Sequence, residues 1–117
     1  MGLELVHSGQ WQPGGKTAVD YEGYQHNSQV TLIVEDMPRG GGPRLHKHPY
    51  GEVWVVIAGR AAFTDGAEVV KAEVGDVMYV SAETPHKFTS IGEEPLKMVC
   101  IHESPKFHTD WLEPKPE

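Results

Sequence analysis

The sequence predicts one all-β domain, a sandwich or barrel of short strands, on three observations. Thirteen glycines and nine prolines in 117 residues supply many turns and leave little room for long helices. The apolar runs are short and rich in β-branched residues, as in QVTLIVED and EVWVVIAG, a composition that suits a pleated, half-buried strand. An Asp65-Gly66 dipeptide lies between two such runs, where it favours a tight type I′ hairpin turn. A chain of this length buries most of the surface its unfolded state exposes, so residues 1–117 are read as a single domain.

Taken in order, Leu3 to Trp11 predicts a short strand before the Gln12-Pro13-Gly14-Gly15 turn, and Thr17 to Tyr21 a second. Gln29 to Asp36 reads as a well-buried strand, closed by a loop from Pro38 to Pro43 with three consecutive glycines. Glu52 to Ala58 is the most apolar strand, and Gly59 ends it. Ala61 to Thr64 and Ala67 to Lys71 form the hairpin around Asp65-Gly66. Val77 to Val80 is expected to pair with His86 to Thr89 across Ser81 to Pro85, and Leu96 to His102 adds a further strand. The tail, residues 104–117, carries Phe107, Trp111 and Leu112; it is expected to lie as a short helix or extended arm against the barrel or a neighbouring subunit. Pro114 and Pro116 then stop regular structure.

Net charge is −7 with histidine neutral, and the cations are scattered, so the electrostatic footprint of a nucleic-acid or anionic-membrane partner is missing. The lone Cys100 cannot form an intrachain disulfide, which fits a reducing compartment. No run reaches the 18 or so apolar residues that a membrane span needs, and the N-terminus lacks signal-peptide character. A cytoplasmic location is the expectation.

The chemistry concentrates in Gly40 to Gly59, which holds His46, His48 and Glu52. On a strand the two histidines share a face and Lys47 points the other way. A straight strand would put Glu52 roughly 20 Å from His46, too far for one ion whose bonds run to about 2.0 to 2.2 Å. The chain must therefore fold back between His48 and Glu52, where Pro49 and Gly51 permit a bend. That geometry proposes a metal site.

Two segments resemble the cupin superfamily. Its first motif, Gly, five residues, His-x-His, three or four residues, Glu, six residues, Gly, is matched by Gly40, His46, His48, Glu52 and Gly59 (residues 40–59). Its second resembles residues 75–90, from Gly75-Asp76 to Pro85-His86, with Ser81, Glu83 and Ser90 in place of the usual Pro, Gly and Asn. A glutamate in the left-handed region is strained, so a changed turn before His86 is expected. The resemblance implies a double-stranded β-helix, or jelly-roll, barrel of the small single-domain kind. It also implies that His46, His48, Glu52 and His86 ligate one divalent transition metal, Fe, Mn, Ni, Zn, Co or Cu. Three imidazoles and a carboxylate suit such ions better than Mg or Ca. Small cupins are commonly dimers, so a homodimer is expected.

Around these ligands, His102 shares a strand face with Met98 and Cys100 and is a candidate acid/base group, or else a strand-end surface histidine. His26 and Tyr79 are further candidates for proton transfer. Tyr50, Trp54 and Phe88 are candidates for an apolar wall around the substrate, with Trp54 read first as barrel core, and Arg44 for holding an anionic substrate. Cys100 reads as a small buried hydrophobe.

The resemblance implies a metal-dependent enzyme on a small oxygen-rich substrate, a dioxygenase or a sugar or keto-acid isomerase. The alternatives are a non-catalytic module that binds or senses a small molecule, and a structural or storage role, against which a single short barrel with a complete ligand set argues.

Overall fold

The computed structural model describes residues 2–13 and 17–115; the Gly14-Gly15 part of the first expected turn and the Pro116 stop lie outside them. Among the described residues there are eleven strands. They are β1 Gln12–Pro13, β2 Ala18–Tyr21, β3 Thr31–Met37, β4 His46–Lys47, β5 Glu52–Ala58, β6 Ala61–Thr64, β7 Val69–Ala72, β8 Val77–Val80, β9 Lys87–Ser90, β10 Leu96–His102 and β11 Asp110–Trp111. No helix of the described residues is long and apolar enough to cross a membrane.

A six-stranded antiparallel sheet runs in the order β1-β2-β3-β10-β5-β8. Opposite it lie a three-stranded sheet, β7-β6-β9, and the pair β11-β4. A bridge between His46 and His86 joins these two, with each backbone N–H donating to the other's carbonyl at 3.1 and 2.8 Å. The arrangement is the expected jelly roll. The core fills the space between the layers with Trp54, Val56, Leu96 and Met98 from the large sheet and Ala61, Phe63, Phe88 and Ala72 from the small one. Even positions of β5 and β10 point inward, the period of two that a half-buried strand imposes.

Several expectations are corrected. Leu3 to Trp11 is no strand: the His7 N–H donates to the Gln10 side-chain carbonyl at 2.9 Å and the Gln10 N–H to the His7 carbonyl at 2.9 Å. These local bonds form a 3-10 turn over Ser8–Gln10 in place of a ladder. The Asp65-Gly66 connection is not a two-residue turn. Thr64 pairs with Val69, so four residues form the loop, and only Gly66 takes a positive φ, +101°. The cause is the Asp65 carboxylate, which accepts the N–H groups of Ala67 and Glu68 at 2.8 Å each and widens the bend.

Val77–Val80 and the strand after His86 do not pair. The first joins β5 in the large sheet and the second joins β6 in the small one, so the loop from Ser81 to Pro85 crosses between layers. The turn before His86 is also kept rather than changed. Glu83 occupies the left-handed region at φ 65°. Its N–H donates to the His48 carbonyl at 2.8 Å and its carboxylate meets Lys47 at 2.9 Å, contacts that hold it there against a cost of about 1 to 2 kcal/mol. At the other motif boundary Gly59 sits at φ +78°, and a Cβ there would stand 2.7 Å from the Pro95 carbonyl oxygen. Only glycine fits that end of β5.

The tail is an extended arm, not a helix. β11 pairs with β4, Trp111 opposite His46, and the Leu45 N–H donates to the Glu113 carboxylate at 2.6 Å.

Candidate metal centre

β4 and the residue that follows it send His46 and His48 to the interior and Lys47 outward. The chain bends through Pro49 to Gly51, and Glu52 opens β5 on the inner face. The crossing from β8 to β9 delivers His86 beside His46. One ligand-type atom from each of His46, His48, Glu52 and His86 lies within 4.8 Å of all the others. None of the four residues is more than 7% exposed. Donors about 2.1 Å from a common ion stand roughly 3 to 4.2 Å apart, so the set needs only to draw in by a few tenths of an ångström to close on one small cation.

The orientation of each imidazole has a backbone cause. Nδ1 of His46 donates to the Arg44 carbonyl at 2.6 Å, that of His48 to the His108 carbonyl at 2.7 Å and that of His86 to the Thr84 carbonyl at 2.8 Å. Each bond fixes the tautomer and leaves the inward Nε2 as a bare lone pair. Nε2 of His48 stands 3.1 Å and that of His86 3.5 Å from Glu52 Oε1. These three atoms are buried and have no hydrogen-bond partner. Lone pairs facing a carboxylate oxygen without a hydrogen between them repel, and a cation is what would reconcile them. The residues present fit a metal ion.

Without an ion the alternative is for these rings to turn a proton toward Glu52, and the charges reflect that exchange. Burial pushes His46 down to about 4, which keeps it neutral. Burial also opposes the Glu52 charge, yet the imidazoles of His102, His48 and His86 outweigh it and hold this carboxyl well below the usual range. His48 is raised, burial being outweighed by Glu52 and the His108 carbonyl.

His102 stands behind Glu52, with Nε2 3.3 Å from Oε2 and Nδ1 2.7 Å from the Tyr50 hydroxyl. His46, His48 and Glu52 border a cavity of about 270 Å³ shared with His102, Trp54 and Phe88, while His86 borders the neighbouring cleft beyond Trp54. Tyr50 backs this group, stacked on His48 at 4.9 Å, and burial raises its phenol to about 12. Of the remaining sequence candidates, the structure does not bring Arg44, Tyr79 or His26 to the cavity. Arg44 lies over the Trp111 ring at 4.2 Å and donates to the Glu113 carbonyl at 3.2 Å, so its fork is spent on the tail. Tyr79 points outward from β8 and borders a different cleft, about 210 Å³, that shares Trp54 with the first. His26 pairs with Glu4 at 2.6 Å and stacks on Tyr21. Cys100 is buried, and burial raises its thiol well above the ordinary value, so it behaves as a small hydrophobe.

Sequence reasoning missed the opposite wall. Asp20 and Glu35 line the cavity from β2 and β3, and the tail contributes Phe107, Thr109 and Trp111. Burial, then the carboxylates of Asp20 and Glu52, push Glu35 up to about 7; burial likewise raises Asp20. The available signal was parity, since Glu35 shares the strand face of Ile33. Nothing local marked the tail residues.

Comparison with known proteins agrees with this geometry. The family model described as Cupin domain matches residues 32–102. An uncharacterised protein of Methanocaldococcus jannaschii is 36% identical over 91 residues, 77% of this chain and 70% of that protein. An uncharacterised protein of Streptomyces coelicolor is 39% identical over 82 residues, 70% of this chain and 75% of that one. Among solved structures, a variant of oxalate decarboxylase from Bacillus subtilis superposes with a TM-score of 0.74 at 22% identity. It covers 86% of this chain, which spans only 29% of the decarboxylase. An uncharacterised Klebsiella pneumoniae protein with a double-stranded β-helix domain gives 0.71 at 18% identity, covering 96% of this chain and 99% of that one. At these identities the structural likeness speaks for the fold alone.

Proposed function

The chain belongs to the cupin domain family, and from that premise we propose that it is a metal-dependent enzyme acting on a small oxygen-rich substrate. His46, His48, Glu52 and His86 would hold one divalent first-row transition ion. The observation that carries this reading is the convergence of three buried atoms without a hydrogen-bond partner, Nε2 of His48, Nε2 of His86 and Glu52 Oε1, beside His46, with each of the three imidazoles oriented by an Nδ1–H bond to a backbone carbonyl. The ion, when bound, would act as a Lewis acid toward adjacent substrate oxygens, and a redox-active ion would also serve oxygen chemistry.

The protein's own groups have distinct tasks. Tyr50 accepts the His108 N–H at 3.4 Å and donates its hydroxyl hydrogen to His102 Nδ1. The His102 proton then sits on Nε2, facing Glu52 Oε2, and leaves Oε1 as the ligand atom. Trp54 and Phe88 exclude water from the cavity, and Glu35 holds a proton on the wall that the substrate would face. A cavity of about 270 Å³ limits the substrate to a small molecule. Oxidation of such a substrate by oxygen and isomerisation of a sugar or keto acid both fit these constraints. The fold-level likeness to oxalate decarboxylase, in which Mn(II) centres have been studied, makes a small carboxylate and Mn(II) the first pair to try.

Elemental analysis of protein purified without a polyhistidine tag tests the centre. About one transition ion per chain, lost in His86→Ala and Glu52→Gln, is the expected result. No bound metal and unchanged stability in chelator would overturn it. Turnover across a panel of small keto acids, sugars and dicarboxylates tests the enzyme, and tight binding without turnover would leave a binding module instead.

A further inference from the structure

The cavity wall away from the candidate metal centre carries two carboxylates, Asp20 and Glu35. The strand register sets the inner face of the large sheet in rows. One row holds Thr31, His102 and Glu52, the next Asp20, Ile33, Cys100 and Trp54, and the third Ala18, Glu35 and Met98. Successive rows are two residues, about 6.8 Å, apart, so the cavity runs from the ligand-type residues past Asp20 to Glu35. Asp20 and Glu35 are diagonal neighbours on paired strands, a relation that puts their Cβ atoms about 7 to 8 Å apart. Two carboxylates at that separation can bracket one small donor between them.

The rest of the lining selects the donor. Among the described residues, no lysine or arginine borders the cavity. Burial and the carboxylates of Asp20 and Glu52 keep a proton on Glu35 up to about pH 7, which leaves about one negative charge on the Asp20 and Glu35 pair. A half-buried charge without a counterion is costly, and a monocation entering the cavity relieves it. A hydroxyl group would leave the charge uncompensated, and a second carboxylate would add to the repulsion. A bare Ca ion would need about six to eight oxygens where the wall offers two side chains. Phe107 and Trp111 turn aromatic rings to the same space, a surrounding that favours a cation. Trp54, 1% exposed, borders the cavity with its Nε1 buried and without a hydrogen-bond partner, so an oxygen of the same ligand would satisfy it.

We infer that the molecule held in this cavity carries a protonated amine, seated between Asp20 and Glu35, at the end away from its metal-binding oxygens. The inference rests on the reading of the cavity as the substrate site. It narrows the substrate to small oxygen compounds that bear an amino group, the class of amino acids, amino alcohols and amino sugars, and it sets dicarboxylates aside. Asp20 and Glu35 then determine specificity, while the ligand-type residues hold the oxygen end. The charged groups that face Glu35 are Asp20 and Glu52, and those that face Asp20 are Glu22 and His102.

Calorimetric titration of the full chain with butylammonium, 1-butanol and butyrate, probes of similar size and different charge, tests the wall by itself. Titrations of the protein as purified and again in chelator separate the wall from the metal. Butylammonium is expected to bind at least about 10-fold more tightly than either other probe in both conditions, the effect of a hydrogen bond to a charged group. The preference should disappear when Asp20→Asn and Glu35→Gln are combined, since both keep the side-chain shape without the charge. Should the double variant lose its β-sheet circular dichroism, Asp20→Asn alone gives the same reading. Near about pH 6 the binding of butylammonium should release part of a proton, seen in the dependence of the heat on buffer ionisation, because the ammonium favours ionised Glu35; Glu35→Gln should release none. Equal binding of the three probes, no binding of butylammonium, or a preference that survives the substitutions would overturn the inference. So would a preference that chelator abolishes, which would assign the amine to the metal. Protein that purifies without metal and still shows the preference would support the amine site and count against the metal centre alone.

Discussion

Replacing Glu35 by glutamine should stabilise the metal-free protein in a manner that depends on pH. Glu35 ionises near 4.5 in the unfolded chain, whereas in the fold burial and the carboxylates of Asp20 and Glu52 push it up to about 7. Between those values the folded protein keeps a proton that the unfolded chain has released. This group therefore favours the fold below pH 4.5, and its contribution is lost as pH rises to about 7 and stays absent above. The full shift corresponds to about 3.4 kcal/mol at 1.36 kcal/mol per pH unit; residual contact with water reduces this to about 2 kcal/mol. Glutamine has the same shape and no titration. Urea unfolding in the presence of chelator, repeated from pH 4 to pH 8, should show the variant gaining about 2 kcal/mol over the parent across that range. The matching rise in melting temperature at pH 8 is roughly 8 °C. A difference between variant and parent that does not change with pH, or that grows toward acid, would refute the placement of Glu35 in this cavity.

Other outcomes follow from the same geometry. Ending the chain at Ser104 removes the His108 carbonyl that aims His48, so affinity for Mn(II) or Zn(II) in a competitive chelator titration should fall about 10- to 100-fold, and unchanged affinity would show that the tail does not orient the ligand. Glu83→Gly relieves the left-handed backbone and loses only an exposed ion pair with Lys47, so thermal denaturation should show a gain of about 0.5 to 1 kcal/mol; a loss would mean that the ion pair outweighs the strain. Met98→Ala opens a hole in the packed centre of β10 and should cost about 2 to 5 kcal/mol in urea, whereas a cost under 1 kcal/mol would argue that the neighbouring core collapses into the space.

His46, His48 and Glu52 were legible because strand parity and the limited reach of a metal bond constrain them within a few residues of each other, whereas His86, on a separate strand, was legible only through the resemblance of residues 75–90 to the second cupin motif. The bend at Pro49 to Gly51 follows from that reach alone. Partners distant in sequence were harder to read. Val77–Val80 and His86–Thr89 look like a hairpin because they are close along the chain, but burial of both is served better by opposite layers. Asp65-Gly66 misled because a neighbouring side chain, not the backbone preference of glycine, decides the turn. The role of Arg44 depended on Trp111 and Glu113, some seventy residues on, and no local pattern encodes such a pairing. Glu35 was hidden in an apolar run whose register with β2 and β10 appears only when the sheet is assembled.

The carbonyl beneath His48 has a consequence for how the centre comes into being. The chain is synthesised from its N-terminus, so His46, His48, Glu52 and His86 all leave the ribosome before His108 does. Until the tail lies along β4, His48 lacks the bond that selects its tautomer, and any ion arriving early meets a looser set of donors. The order of synthesis thus delays a fully oriented set of donors until the arm has docked, after every strand that carries a ligand-type residue has been made.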